Sequence, residues 1–231
     1  KGAAVTVGAP VKAAARAVRR HLPPQYTLGE EIANSITHGI GAALGVAALV
    51  VMIVKAAVAR LAPASLASAI IFGIALLEYL ASTLYHAIAP AAAKRVFRII
   101  DHSCIYVLIA GTYTPFCLIT LGEAGGIPLC IAVWALAIAG VLFEAFMRER
   151  QPHWLTAVMY VAMGWLVLFR LPQLIERSIY SVFLLAAGGV CYTIGAVFYV
   201  LKKIRYMHTV FHVWVLAGSV LQFLAVVLFV I

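Results

Sequence analysis

An all-α, multi-pass membrane protein, a bundle of seven transmembrane helices, is what this sequence predicts, and three observations predict it. The 231 residues are 65% hydrophobic and only 11% charged, where soluble domains carry roughly a quarter charged residues. The apolar runs reach the length of about 20 residues that a helix needs to cross a hydrocarbon core of about 30 Å. Runs such as LGVAALVVMIVKAAVA lack the two-residue alternation of barrel strands, so helices account for them. Lipid satisfies no backbone polar group, and no third kind of spanning structure is available. The mean hydropathy of +1.06 fits the same class.

Spans are predicted at 34–58, 64–88, 98–120, 127–147, 154–171, 179–200 and 206–230. The first opens on Asn34 and His38, and Pro63 separates it from the second, which closes on STLYH (82–86). The third opens on Asp101 and His102, and Gly122, Gly125, Gly126 and Pro128 punctuate its exit. Arg148, Arg150 and Pro152 end the fourth, and Pro172 ends the fifth. Gly188, Gly189 and Gly195 in the sixth allow close helix contact, within one bundle or between subunits, and the oligomeric state is left open. The seventh begins with HTVFH (208–212). Residues 1–28 read as a basic cytoplasmic tail and 29–231 as the transmembrane domain. Within the tail, VKAAARAVRRHL is either a solvated segment or a helix lying on an anionic leaflet. The first 26 residues lack the apolar core and cleavage site of a secretory signal. Cys104, Cys117, Cys130 and Cys191 all fall inside apolar runs without C-x-x-C spacing, and read as small buried hydrophobes.

A net charge of +9 would suggest nucleic acid as the partner of a soluble protein. In a membrane protein its placement matters more, and no nucleic-acid partner is expected. With the N-terminus cytoplasmic, the inner segments carry 13 of the 17 Lys and Arg residues, and the outer ones only Lys55, Arg60, Arg170 and Arg177. The positive-inside rule therefore predicts N-terminus in and C-terminus out.

Ionisable groups inside spans are costly and mark functional sites by default. The orientation, drawn from Lys and Arg alone, puts Asn34, His38, His86, Asp101, His102, His208 and His212 in the cytoplasmic leaflet. His21 and His153 fall in the tail and a loop, as solvated residues. His208 and His212 stand at i and i+4 on one helix face, about 6 Å apart along the axis, and can chelate one metal. Thr209 stands where H-E-x-x-H has its glutamate, which excludes a soluble zincin. His86, at matching depth, supplies a third ligand, and three ligands plus water is the pattern of an open zinc site. Haem is excluded because one i, i+4 pair cannot provide both axial positions. A di-iron lipid desaturase calls for more histidines, so zinc is the expected cofactor.

Asp101 is a fourth ligand, a partner of the metal's water and acceptor of its proton, or an end group compensating Arg98 at i−3. His102 points about 100° away from it, outside the ligand set. Ser82, one turn deeper than His86, either hydrogen-bonds a substrate carbonyl or oxyanion or bonds back to the carbonyl of Glu78. Glu78 is about 12 Å deeper than His86, too far to ligate, and is protonated or paired with a polar group on a neighbouring helix.

EEIANSITHG (30–39), STLYH (82–86), DHSCIYVLIAGTYTP (101–115) and HTVFH (208–212) resemble the motifs of the hemolysin III family. This is the bacterial branch of the progestin and adiponectin receptor superfamily, itself similar to the alkaline ceramidases. The resemblance covers the chain from about residue 28 onward. It implies a seven-helix protein of the bacterial cytoplasmic (inner) membrane, with His86, His208 and His212 on zinc, Asp101 contacting the bound water, and Ser82 in the second-span motif. Asn34 and His38 match a first-motif polar pair, in packing or in support of the ligands.

Three functions follow as expectations. One is a zinc-dependent hydrolase of lipid amides or esters, with Asp101 and Ser82 catalytic and a lipid-like substrate held among the helices. Another is a non-enzymatic sensor or regulator of membrane state in which zinc is structural; membrane lipids are the expected partners. The third is a cytolytic pore, against which the sequence speaks for a monomer: no span has a continuous polar stripe, and mid-membrane charges are little more than Glu78 and Glu144.

Overall fold

The computed structural model describes residues 26–59, 62–147, 152–201 and 204–231. The tail expected over 1–28, His21 included, lies almost wholly outside them, as do Arg60, Arg148, Arg150, Lys202 and Lys203 of the charge argument. Seven helices are long and apolar enough to span: α1 (Leu28–Val58), α2 (Pro63–Ala87), α3 (Ala91–Leu121), α4 (Gly126–Met147), α5 (His153–Arg177), α6 (Ile179–Val200) and α7 (Met207–Phe229). No strand occurs among the described residues.

The bounds of α2, α4, α6 and α7 fall within a residue of expectation, and the other three helices run longer. The early start of α1 comes from a capping box: Thr27 Oγ1 accepts from Glu30 N–H, and the Glu30 carboxylate accepts from Thr27 N–H at 2.9 Å. The start of α3 at Ala91, directly after Pro90, puts Lys94, Arg95 and Arg98 on its first turns and not in a loop. Pro172 does not end α5. The helix tightens into a 3₁₀ turn over Trp165–Arg170, and Pro172 then sits in the first turn of Leu171–Arg177, where its missing N–H is not needed. Tyr113 of α3 holds the tightened turn, its hydroxyl donating to Gly164 O at 2.7 Å and accepting from Val167 N–H at 2.8 Å.

Helix α2 has a turn at Leu76–Leu77, dividing Pro63–Ala75 from Glu78–Ala87. Six helices close a ring in the order α1, α2, α3, α5, α6, α7 and back to α1, while α4 packs against α3. The polarity is that of a membrane bundle: Ile36, Ile40, Val50, Ile131 and Phe183 point outward, while Asn34, His38, Glu78, Ser82 and Asp101 are buried. The glycines of α6 serve contacts within the bundle, Gly188 against Gln222 and Gly218 O, Gly189 against Trp165, Gly195 against Trp214. All four cysteines are free thiols.

Helix α2, which carries Ser82 and His86, packs on α3, which carries Asp101, and this crossing depends on Gly111. A Cβ there would lie 2.2 Å from Ala75 Cβ. Gly111→Ala is expected to destabilise the bundle by about 1–3 kcal/mol, as overpacking does. Thermal unfolding in detergent measures it, and an unchanged melting temperature would mean that the crossing yields freely.

Candidate metal centre

Four helix ends bring the site together: the starts of α1, α3 and α7 and the end of α2. His86, His208 and His212 are buried, and each offers a ring nitrogen, all three within 4.8 Å of one another. Zinc–nitrogen bonds of about 2.0–2.1 Å in a tetrahedron set nitrogens roughly 3.4 Å apart, so small ring rotations bring this set onto an ion. The ring centroids are 5.2 Å apart for His86–His208, 5.2 Å for His86–His212 and 4.5 Å for His208–His212.

Proton placement favours a ligand role. Glu31 Oε2 lies 2.7 Å from His86 Nδ1, and an acceptor that close assigns the proton to Nδ1. The remaining nitrogen, Nε2, is buried and has no hydrogen-bond partner among the described residues. Lys94 Nζ, 2.7 Å from Glu31 Oε1, holds that carboxylate in turn. At His212, Thr37 Oγ1 spends its one proton on the carbonyl of Ala33 at 2.9 Å, leaving its oxygen to accept from Nδ1–H at 3.2 Å. The Nε2 of His212 therefore carries a lone pair. Two histidines fixed by partners on the distal nitrogen match how proteins orient zinc ligands. The donor set fits a zinc ion.

Asn34, 0% exposed, sits between α2 and α7, the helices that carry the three histidines. Its Oδ1 accepts from Thr209 Oγ1 of α7 at 2.6 Å, and its Nδ2 is 3.4 Å from His86 Nδ1. His38 stacks on His212 with centroids 3.5 Å apart and planes 17° apart. Tyr26 covers the group from the end of the bundle, stacked on His208 at 5.1 Å. The first-motif pair thus meets two of the three histidines, Asn34 at hydrogen-bond distance from His86 and His38 by stacking on His212.

Asp101 is 3% exposed and lies outside the three-histidine group. Its Oδ1 accepts no hydrogen bond from any described residue, Arg98 included. Ser82 is 1% exposed, and its Oγ also lacks a partner, so it does not bond back to Glu78. Its neighbour Thr83 makes that ordinary helix bond instead, to Tyr79 O at 2.7 Å. His102 stands apart, as expected, paired with Glu144 Oε1 at 2.9 Å. His153 is not a solvated loop residue: it begins α5 and meets Tyr199, its Nδ1 3.4 Å from the phenol oxygen.

An apolar cavity of about 120 Å³ opens beneath the histidines between α3, α5, α6 and α7. Its wall on α3 runs from Ile105 to Leu121, roughly 24 Å of helix. Glu78, Tyr199 and Phe211 line it toward the site, and the last two rings lie 6.2 and 5.4 Å from that of His208.

Glu31, Thr37 and Tyr26 were not legible as site residues, although Glu31 shares a face with Asn34 and His38 at i+3 and i+7. Glu31→Gln is expected to lower zinc affinity roughly 10–100-fold, as the loss of such a partner does. Competition with a chromophoric chelator reads it, and wild-type affinity would mean that Glu31 does not orient His86.

The family profile described as Haemolysin-III related matches residues 26–223. "Hemolysin-3" of Bacillus cereus is 43% identical over 204 residues, covering 87% of this chain and 92% of that protein. "Hemolysin-3 homolog" of Bacillus subtilis (strain 168) is 44% identical over 206 residues, covering 88% of this chain and 96% of that one.

Proposed function

This chain belongs to the hemolysin III family, multi-pass bacterial membrane proteins of the progestin and adiponectin receptor superfamily, and we propose that it is a zinc-dependent hydrolase of membrane lipids. The scissile amide or ester faces the histidines while the acyl chain lies in the cavity. One observation carries the reading: Ser82 Oγ, Asp101 Oδ1 and His86 Nε2 are all buried without hydrogen-bond partners among the described residues, and Glu78 and Ile105, one turn from Ser82 and Asp101 on the same helices, line the apolar cavity. Buried polar atoms left unmatched are costly, and a reacting group that meets them offsets the cost.

His86, His208 and His212 would hold the ion, and zinc in such a set supplies Lewis acidity toward a carbonyl oxygen and toward water. Asp101 Oδ1, which accepts no hydrogen bond from a described residue, takes the proton of the attacking water and passes it to the leaving amine or alcohol as the C–N or C–O bond breaks. Ser82 Oγ–H donates to the carbonyl oxygen as negative charge develops there. The apolar wall keeps the rest of the acyl chain dry. On the charge asymmetry of the sequence, this end of the bundle faces the cytoplasm.

The regulator reading with structural zinc also has an observation in its favour. The ligands come from α2 and α7, and their supports from α1 and α3, so an ion there would staple four helices. One experiment separates the two. Purified protein is assayed for zinc, then for release of fatty acid from lipid amides and esters, before and after chelation. Product that vanishes with the metal and returns with added zinc is the expected result. Product indifferent to chelation would overturn the hydrolase; a large fall in melting temperature with no product at any stage favours the staple. Dye release from proteoliposomes tests the cytolysis that the relatives' names raise.

A further inference from the structure

Glu78 is a buried acid that the proposed chemistry does not use. It opens the inner segment of α2 past the turn at Leu76–Leu77, is 2% exposed, and lines the cavity. Its Oε2 is sealed from water with no hydrogen-bond partner among the described residues. Among the other polar side chains of this wall, Gln222 also has an unpartnered Oε1, though its Nε2 donates to Leu185 O at 3.2 Å, and three others are engaged. Tyr192 bonds Ser219 at 2.7 Å, Thr193 accepts from Trp165 Nε1 at 3.0 Å, and Thr112 donates to Ile109 O at 2.8 Å. A carboxyl unmatched at this depth is expensive, and such groups inside a membrane bundle mark what the interior binds.

Its position says which part of a ligand it meets. Glu78 is one turn deeper than Ser82 on the same face of α2, about 6 Å along the axis. An acyl chain whose carbonyl faces Ser82 and whose tail descends the cavity passes Glu78 within its first few carbons. A hydroxyl on the third carbon, three bonds from the carbonyl carbon, reaches about that depth once a hydrogen bond of about 2.8 Å is added. A plain chain offers the carboxyl only methylenes.

We infer that Glu78 reads a hydroxyl on the third carbon of the acyl chain, so that the substrates are 3-hydroxyacyl amides or esters. This rests on the reading that places the scissile carbonyl at Ser82, and it is tested by binding, without turnover. The affinities of 3-hydroxytetradecanoate and tetradecanoate for the purified protein are compared by calorimetry in one detergent. The hydroxylated acid is expected to bind about tenfold tighter, the worth of one hydrogen bond that replaces an unmatched polar atom. Glu78→Leu should erase that preference by weakening the hydroxylated ligand alone, and Glu78→Gln, which still hydrogen-bonds, should keep part of it. Equal affinities in the wild type, or a preference that survives in Glu78→Leu, overturn the proposal. The wild-type comparison needs no variant, so a leucine variant that fails to fold does not shelter it. A binding preference without any hydrolysis sinks the hydrolase and the substrate class with it, and leaves only the hydroxyl contact at Glu78; hydrolysis with equal affinities keeps the hydrolase and overturns that contact.

Discussion

His86→Ala is expected to reduce the zinc of the purified protein from about one ion per chain to a trace, and to abolish lipid hydrolysis with it. His86 is the one histidine of the group on α2; the other two lie a single turn apart on α7. Without it an i, i+4 pair remains, and two imidazoles on one helix hold zinc far more weakly than three converging ones. The same substitution strands Glu31 Oε2, which is 2.7 Å from His86 Nδ1, and leaves Lys94 as the strong partner of Glu31 among the described residues. Because an ion bound only by the folded state stabilises that state, the melting temperature should fall together with the metal. His38→Ala is the control: its ring stacks on His212 and has no place among the three converging nitrogens. Zinc should therefore persist in that variant. Full zinc occupancy in His86→Ala would remove the three-histidine site altogether.

The spans were legible because the bilayer leaves the chain few choices: an apolar run of that length is a helix or nothing. Their ends were less so. The early start of α1 is decided by a capping box at Thr27 and Glu30, a local exchange of hydrogen bonds that hydropathy does not register. Lys94 and Arg95 look like loop residues, yet they stand on α3, where Lys94 reaches back to Glu31. Pro172 reads as a stop, but a 3₁₀ turn ahead of it lets it begin a new segment.

Within the site the convergence of His86, His208 and His212 was legible from spacing on α7 and from the depth of His86, since a helix fixes both. Their supports were not, because they are contacts across helices. Thr37 meets His212 over 175 residues of sequence, and no periodicity encodes that meeting. The cavity is hidden for the same reason: its wall is assembled from ordinary Leu, Val and Phe positions on several helices, none distinctive alone. Glu78 alone among that lining stood out in the sequence, by being charged where charge is costly.

Asp101→Asn is expected to keep the zinc and to lower turnover by about 10²–10⁴-fold, the range that a positioned base contributes. Asparagine preserves the shape of the side chain but cannot take up a proton. Asp101 lies outside the histidine group, so its loss should leave metal content unchanged, and a variant that loses both would make it a ligand. The test is sharpened by Ser82→Ala. Ser82 Oγ is buried and unpartnered, so deleting it removes a desolvated hydroxyl and should cost the fold little or even stabilise it. Turnover should nonetheless fall by about 10²–10³-fold if the hydroxyl meets the developing oxyanion. Stability and catalysis thus move in opposite directions in this one variant, which a purely structural serine cannot produce. Undiminished turnover in both variants, with zinc in place, would mean that the proton and the negative charge are handled by other groups.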